Sequence, residues 1–371
     1  MNKKVNQEIQ NSVVLYGVSK VEYGPNGCTP YPMCLKSCAN YLGQDVSLDF
    51  SMVATGAAFR LTWDTTSWNG GNVDVIHTFD NPEKIYKLGV EALGRDFQII
   101  TRTNTLCDVK FISTNNSDKK SDFVRFIKNQ IDKGFPCIAL GIIGPPEACI
   151  ITGYRESGET LLGWNFFQDA TEFATVVKID ESGYFISDKW WENNDTIAVI
   201  SLGEKDKPLI SYKAIIENAI EVMTGRLDMK SGKAFTKGVM AYDAWKKAIL
   251  NDSDFPANAI FPILAERLMC QGDAMDCLMD GRHNAAMFMK KLSGELTEHT
   301  ETCKKIEEQF TKITSIIWRM ADLMGGYARD EKQMRNFAKS EVRRQIAALI
   351  DECKTADTKA LEALVVLADS L

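Results

Sequence analysis

The sequence lacks several features that would assign it to a familiar class of protein. No stretch approaches the roughly 20 consecutive apolar residues that a membrane span requires, and residues 1–10 are polar and lack the apolar segment of a signal peptide. There is no glycine-rich dinucleotide motif, no phosphate-binding loop and no clear internal repeat. We therefore expect a cytoplasmic protein with no membrane partner, and nothing in the sequence points to a cofactor.

Histidine is scarce, which bears on metal binding. The chain has three histidines among its 371 residues, His77, His283 and His299, and none has the ligand spacing of a zinc site. Ten cysteines are spread without paired spacing, which indicates reduced thiols rather than a disulfide framework. Cys34 and Cys38 lie four apart on one predicted helix face and are expected in the core. We therefore expect no metal site.

The balance of charge excludes another class of partner. The chain carries 43 Lys and Arg against 50 Asp and Glu, a net charge of −7. An acidic protein is repelled by phosphates, so neither nucleic acid nor an anionic membrane is expected as the main partner.

What the sequence does contain is a cysteine at the start of a predicted helix. Residues 24–27 cannot continue a regular element and predict a turn, whereas the apolar run 33–42 predicts a buried helix that Gly43 ends. Thr29 is placed to cap this helix. The unpaired N–H groups there favour a thiolate, so Cys28 is the candidate nucleophile, and the alternative is an unreactive loop cysteine.

The first half of the chain combines helices with short strands. Apolar runs separated by turns predict strands at 135–143, 147–154, 160–167 and 196–201, and a helix is predicted over 121–133. A helix near the start followed by an antiparallel meander indicates an α+β arrangement.

The chain changes character near Gly203. The charged segment 204–208 predicts a boundary, and the residues after it are predicted to be almost entirely helical. Apolar residues recur there at four-three spacing, as in a helix bundle, at Ile306, Phe310, Ile313, Ile317 and Met320. We therefore predict an α+β domain over 1–203 and an all-α helical bundle domain over 209–371.

Six short segments together carry a resemblance to a known family. They are Gly27-Cys28-Thr29, 147–154 (EACIITGY), 161–168 (LLGWNFFQ), 183–185 (GYF), 238–245 (GVMAYDAW) and 281–286 (GRHNAA). With them the chain resembles the butirosin-biosynthesis protein H-like family, which has a papain-like, C39-peptidase-like N-terminal domain and an appended helical region. The resemblance implies a cysteine-dependent acyltransferase, amidase or peptidase. The resemblance implies that the substrate is a small molecule or a peptide, and a thioester-linked acyl group is one candidate for the acyl donor.

The resemblance also implies which residues carry the chemistry. Cys28 is the nucleophile, position 147 opens the strand that supplies the base, and Asn165 on the next strand orients it. Peptidases of this fold have histidine where this chain has Glu147, and a carboxylate acts as a base only if its pKa is raised toward neutrality. His77 and His283 are the other candidates for an imidazole, and nothing in the sequence places either near Cys28.

A binding surface is predicted from aromatic and polar residues. The stretch 63–72 lacks helical spacing and predicts either a loop over Cys28 or a surface loop with two packed tryptophans. The candidate substrate-binding residues are Trp63, Trp68, Asn69, Tyr154, Trp164 and Gln168. Two functions stay open: the cysteine-dependent enzyme, or a catalytically inactive papain-like scaffold that binds a small molecule or peptide between its two domains.

Overall fold

A computed structural model of the chain describes residues 11–24, 27–71, 73–103, 111–113, 115–175, 177–230 and 233–371. Its strands are, in chain order, β1 (Val13–Val14), β2 (Thr62–Asp64), β3 (Gln98–Thr101), β4 (Cys137–Leu140), β5 (Ala148–Arg155), β6 (Thr160–Trp164), β7 (Lys178–Ile179), β8 (Phe185–Ser187), β9 (Ala198–Ser201), β10 (Arg226–Lys230) and β11 (Lys233–Lys237). Its helices are α1 (Pro30–Tyr41), α2 (Leu48–Ala54), α3 (Glu83–Ala92), α4 (Lys120–Ile131), α5 (Tyr212–Met223), α6 (Ala241–Ile249), α7 (Phe261–Glu295), α8 (Thr300–Met324), α9 (Glu331–Phe337) and α10 (Ser340–Ser370). Among these described helices, none combines the length and the apolar character needed to cross a bilayer.

The chain forms two compact units, and each unit combines two segments. The N-terminal unit comprises Met1–Ser51 and Asn81–Ile210, and the C-terminal unit comprises Met52–Asp80 and Ser211–Leu371. The predicted domains are continuous stretches, whereas the segment Met52–Asp80 belongs to the same unit as the C-terminal helices.

An antiparallel sheet forms the centre of the N-terminal unit. Its strand order is β3-β9-β4-β5-β6-β8-β7, and β1 pairs with β5 on the side of the path. Ile138 of β4 lies opposite Ile150 of β5, and Ile150 in turn lies opposite Trp164 of β6. Helix α4 packs against this sheet through Phe123 and Ile127, which are completely buried because they recur at helical spacing. The mixed α/β composition and the antiparallel sheet are as predicted.

Gly163 lies at the closest approach of strands β5 and β6. A Cβ atom at this position would lie 1.7 Å from the carbonyl oxygen of Ile150. We expect Gly163→Ala to lower the free energy of unfolding by about 1–3 kcal/mol, because the strands must separate to admit the methyl group. Gly294→Ala is the control, since a Cβ atom there meets no atom within 4 Å. Urea unfolding of both variants measures the difference, and an unchanged Gly163→Ala protein would contradict this packing.

The segment that was predicted as a boundary is hydrogen-bonded to the N-terminal unit. The amide of Asp96 donates to the carbonyl of Glu204 at 2.9 Å, and the amide of Lys207 donates to the carbonyl of Gly94 at 3.0 Å. Exposed charged side chains therefore accompany a backbone that is fixed, and the unit extends to Ile210.

Long helices make up most of the C-terminal unit. Helix α7 packs against α8, and α8 packs against α10. The predicted apolar stripe of α8 is buried at all of its positions, Ile306, Phe310, Ile313, Ile317 and Met320. The helical character predicted for this part of the chain is therefore present.

The prediction of an all-α second domain is wrong in one respect. Strands β10 and β11 pair with each other and with β2 in a three-stranded antiparallel sheet of the C-terminal unit. The sequence of β10 does not predict this role, because Asp228 lies on its inner face whereas Leu227 and Met229 are exposed. Lys237 of β11 is buried, and its Nζ lies 2.8 Å from the carboxylate of Asp228 on β10.

Candidate functional site

Cys28 occupies the position that the sequence predicts, directly before helix α1. Thr29 is the N-cap residue with extended backbone angles, and Pro30 opens the helix. Cys28 is half-buried, whereas every other cysteine in the described ranges is fully buried. It is therefore the cysteine of the described chain that a substrate could reach most readily.

The segment before Cys28 is fixed by a short antiparallel bridge. Gly24 and Gly27 exchange both of their backbone hydrogen bonds, at 3.2 and 3.1 Å. Tyr23 and Cys28 directly flank this pair, one on each segment, so the bridge brings their two segments together at this point. Positions 25 and 26 of the predicted turn lie outside the described residues.

Glu147 lies immediately before strand β5 and is half-buried. Its backbone carbonyl accepts from the amide of Gly141 at 3.0 Å, and its amide donates to the carbonyl of Pro145 at 2.7 Å. The Tyr23 hydroxyl donates a hydrogen bond to Oε2 of its carboxylate. Tyr23 thus connects the segment that carries Cys28 to the start of β5.

Two buried thiols lie behind this carboxylate. Burial raises the pKa of Cys34 well above its ordinary value, and electrostatic interactions with Cys38, Cys149 and Glu147 add to the increase. Burial also raises the pKa of Cys149 to about 12, although a hydrogen bond with Asn165 opposes it. Both groups remain thiols at neutral pH and are poor nucleophiles. The predicted core position of Cys34 is confirmed, and helix α1 packs against β5.

Asn165 reaches the same edge of the sheet as Glu147. Its Nδ2 donates to the carbonyls of Gly141 and Ile143, at 3.3 and 3.4 Å, and its Oδ1 accepts from the amide of Phe167 at 2.8 Å. The side chain thus holds the loop that precedes Glu147.

That loop contains a strained residue that the sequence does not predict. Ile142 has φ of 70°, which is rare for a β-branched side chain. Its amide donates to Oγ1 of Thr196 at 3.1 Å, and Asn193 donates to the carbonyl of Gly144 at 2.9 Å. The surroundings therefore impose this conformation, and such over-determined strain is enriched at functional sites.

Three predicted binding residues of the N-terminal unit form internal hydrogen bonds. Tyr154 donates to Asp132 at 2.7 Å, and burial together with this bond raises the pKa of its hydroxyl. The indole of Trp164 donates to the carbonyl of Val18 at 2.8 Å. Gln168 accepts from the amide of Asn165 at 3.0 Å and donates to the carbonyl of Gly183 at 3.0 Å. All three support the frame around the site.

The remaining predicted binding residues belong to the C-terminal unit. Trp63 is buried and stacks on Trp245, with ring centroids 6.0 Å apart. The indole of Trp68 donates to Asp254 at 3.1 Å, and its ring packs edge-on against Phe255. Asn69 beside it is half-buried, and position 72 of the predicted loop lies outside the described residues. These contacts are those of two packed tryptophans, the second interpretation of this stretch.

Both histidines that could supply an imidazole are also found in the C-terminal unit. His77 stacks on Phe235, with ring centroids 4.9 Å apart, and His283 is exposed on α7. A search of the described ranges finds no group of three His, Cys, Asp or Glu side chains that could hold a metal ion.

Sequence reasoning predicts Cys28, Glu147 and Asn165 as site residues and does not point to Tyr23 or Ile142. An aromatic residue next to the turn was the only available signal for Tyr23, since its contact with Glu147 spans 124 positions of sequence. Comparison with known proteins adds no assignment: no protein-family model matches the sequence, and no curated protein matches it significantly.

Proposed function

We propose that the N-terminal unit is a papain-like domain that catalyses cysteine-dependent acyl transfer, with Cys28 as the nucleophile. Glu147 takes the position of the usual histidine and accepts the thiol proton. The substrate is a small acylated molecule or a peptide, and a thioester is the simplest acyl donor. Asn165 positions the loop before Glu147.

The link made by Tyr23 is the observation that carries this proposal. Its hydroxyl binds the Glu147 carboxylate, and Tyr23 flanks the Gly24–Gly27 bridge on one side as Cys28 does on the other. Helix α1, which follows Cys28, packs against β5, which Glu147 precedes, and this packing supports the same arrangement. These observations support the pairing of a thiol at a helix start with a carboxylate at a strand start.

The proposed reaction proceeds through a thioester on Cys28. The sulfur attacks an acyl carbonyl while its proton passes to Glu147, the S–C bond forms and the bond to the leaving group breaks. The leaving group takes the proton from Glu147. Water, an amine or a hydroxyl then attacks the thioester and gives its proton to Glu147, which passes it to the Cys28 sulfur as the S–C bond breaks and the acyl product leaves.

A second candidate is a binding domain without catalysis. The amides of Asn165 and Gln168 are engaged with backbone groups, and position 147 is an acid rather than an imidazole. In this alternative Glu147 and Tyr23 recognise a ligand, and Cys28 takes part in no covalent step.

Acylation of Cys28 distinguishes the two candidates. We expect a small acyl thioester at neutral pH to acylate Cys28 about 100-fold or more faster than it acylates cysteine in an unfolded peptide of the same local sequence, because Glu147 accepts the proton during attack. Peptide mass spectrometry locates the adduct. The Cys28→Ser variant should carry no adduct, and buried Cys34 should stay unmodified in both proteins. A rate equal to that of the peptide would favour the binding domain.

A further inference from the structure

We infer that Tyr23 is a positioning residue that holds the Glu147 carboxylate in place beside Cys28. This inference rests on the proposed function, because it assigns to Tyr23 an effect on Cys28 that is transmitted through Glu147. The structural basis is the hydrogen bond between the Tyr23 hydroxyl and Oε2 of Glu147.

The aromatic ring of Tyr23 is held in position on one side. It packs against Phe166 with ring centroids 4.7 Å apart and against Phe167 with centroids 6.1 Å apart. Yet Tyr23 is 43% exposed, so the ring contributes little to a buried core. A partly exposed tyrosine with a fixed ring and a hydroxyl on a carboxylate is well suited to orient that carboxylate.

The backbone places this tyrosine next to the nucleophile as well. Tyr23 and Cys28 directly flank the Gly24–Gly27 bridge, one on each of its two segments. Because the hydroxyl fixes Oε2, it also fixes the direction in which the other oxygen of Glu147 points. A single side chain therefore relates the position of the base to the position of the thiol.

The other charged groups of this segment are arranged in a separate cluster. Lys20 lies 2.7 Å from Glu22 and 3.6 Å from Asp169. The thiols that interact with one another beside Glu147, Cys34 and Cys149, are fully buried. Glu147 is therefore the acid through which Tyr23 is expected to act on Cys28.

The chemical consequence of the hydrogen bond has a definite sign. A phenol that donates to a carboxylate stabilises its charge and reduces the field that the charge exerts on its neighbours. Removing the hydroxyl leaves the full negative charge beside Cys28, which opposes the thiolate. Tyr23→Phe should therefore raise the pH midpoint of Cys28 alkylation by iodoacetamide by about 0.5 unit.

A double-mutant cycle with Glu147→Gln tests whether this effect passes through Glu147. Glu147→Gln alone should lower the midpoint, because it removes the negative charge. Tyr23→Phe in the Glu147→Gln background should then produce no further shift. Tyr16→Phe is the matched control, since Tyr16 is 41% exposed, stacks on Tyr184 and lies in the same segment; it should leave the midpoint unchanged.

The outcomes separate this inference from the proposed function. A shift with Glu147→Gln but none with Tyr23→Phe would overturn the role of Tyr23 and leave the Cys28–Glu147 pairing standing. Equal shifts for Tyr23→Phe in both backgrounds would also overturn it, because the tyrosine would then act independently of Glu147. No shift with Glu147→Gln would contradict the pairing of Cys28 with Glu147, and the proposed role of Tyr23 would fall with it.

Discussion

Replacing Glu147 with histidine should lower the pH midpoint of Cys28 alkylation by about 2 units, because a nearby unit charge moves a pKa by about 1 unit or more. The substitution removes a carboxylate that opposes the thiolate and adds an imidazolium that stabilises it. It also introduces histidine, the residue type that papain-like peptidases use at the strand position that Glu147 takes in the proposed arrangement. Glu147→Gln, which only removes the charge, should give about half of this shift.

The measurement is the rate of iodoacetamide labelling of Cys28 across pH, followed by peptide mass spectrometry. Glu159→His is the matched control, because Glu159 directly precedes β6 as Glu147 directly precedes β5. The two strands are antiparallel, so these acids lie at opposite ends of the pair. Identical midpoints for Glu147→His and the unsubstituted protein would mean that residue 147 does not act on the thiol, and the cysteine-enzyme proposal would lose its main support.

The same acid should matter more for acyl transfer than for alkylation. If Glu147 accepts the proton of Cys28, Glu147→Gln should slow acylation of Cys28 by about 100-fold or more, because general-base catalysis contributes that much. It should do so even though the thiolate forms at lower pH in this variant. An acylation rate that rises together with thiolate content would instead assign Glu147 to ligand binding.

Local signals explain which parts of the site the sequence predicts. Thr29 before a proline-initiated helix defines the start of α1, and the apolar run at 147–154 corresponds to β5 within one residue at each end. The strand predicted at 160–167 is longer than β6, which ends at Trp164. It ends before Asn165, because the side chain of Asn165 accepts a hydrogen bond from the amide of Phe167 and turns the chain.

Long-range contacts explain what the sequence does not predict. The Tyr23–Glu147 hydrogen bond leaves no trace in periodicity, since neither residue belongs to a regular element. Ile142, whose φ is positive, donates its amide hydrogen bond to Thr196, which is 54 positions away. Contacts of this kind form only in the completed fold, so residue spacing in the sequence does not predict them.

Long-range contacts also explain why the C-terminal unit includes the early segment Met52–Asp80. Arg282 on α7 donates to the carbonyls of Ala58 at 2.7 Å and Arg60 at 3.3 Å, across 224 and 222 positions of sequence. Gly281 allows this approach, since a Cβ atom there would lie 2.6 Å from the carbonyl oxygen of Ala58. The segment Met52–Asp80, which lies far before these helices in the sequence, is therefore part of their core.

Breaking the ion pair of Arg282 should produce the largest loss of stability among the substitutions considered. Arg282 donates from Nε to Asp357 at 3.0 Å and from Nη2 at 2.5 Å, and Tyr242 donates to the same carboxylate at 2.6 Å. Arg282 and Asp357 are each 1% exposed. Asp357→Asn should lower the free energy of unfolding by about 3–5 kcal/mol, because it leaves a buried guanidinium without its counter-charge.

Urea unfolding, combined with hydrogen exchange of peptides from α7 and α10, measures this loss in the C-terminal unit. The exposed pair Arg319–Glu352 is the matched control: its atoms are 2.8 Å apart on α8 and α10, and Arg319→Met should change stability by at most about 1 kcal/mol. The double variant Arg282→Met/Asp357→Leu should be less destabilised than the sum of its single variants, because no unpaired charge remains buried. A loss for Asp357→Asn no larger than that for Arg319→Met would show that water or another group compensates the charge, and that the buried pair does not hold the segment Met52–Asp80 against the helices.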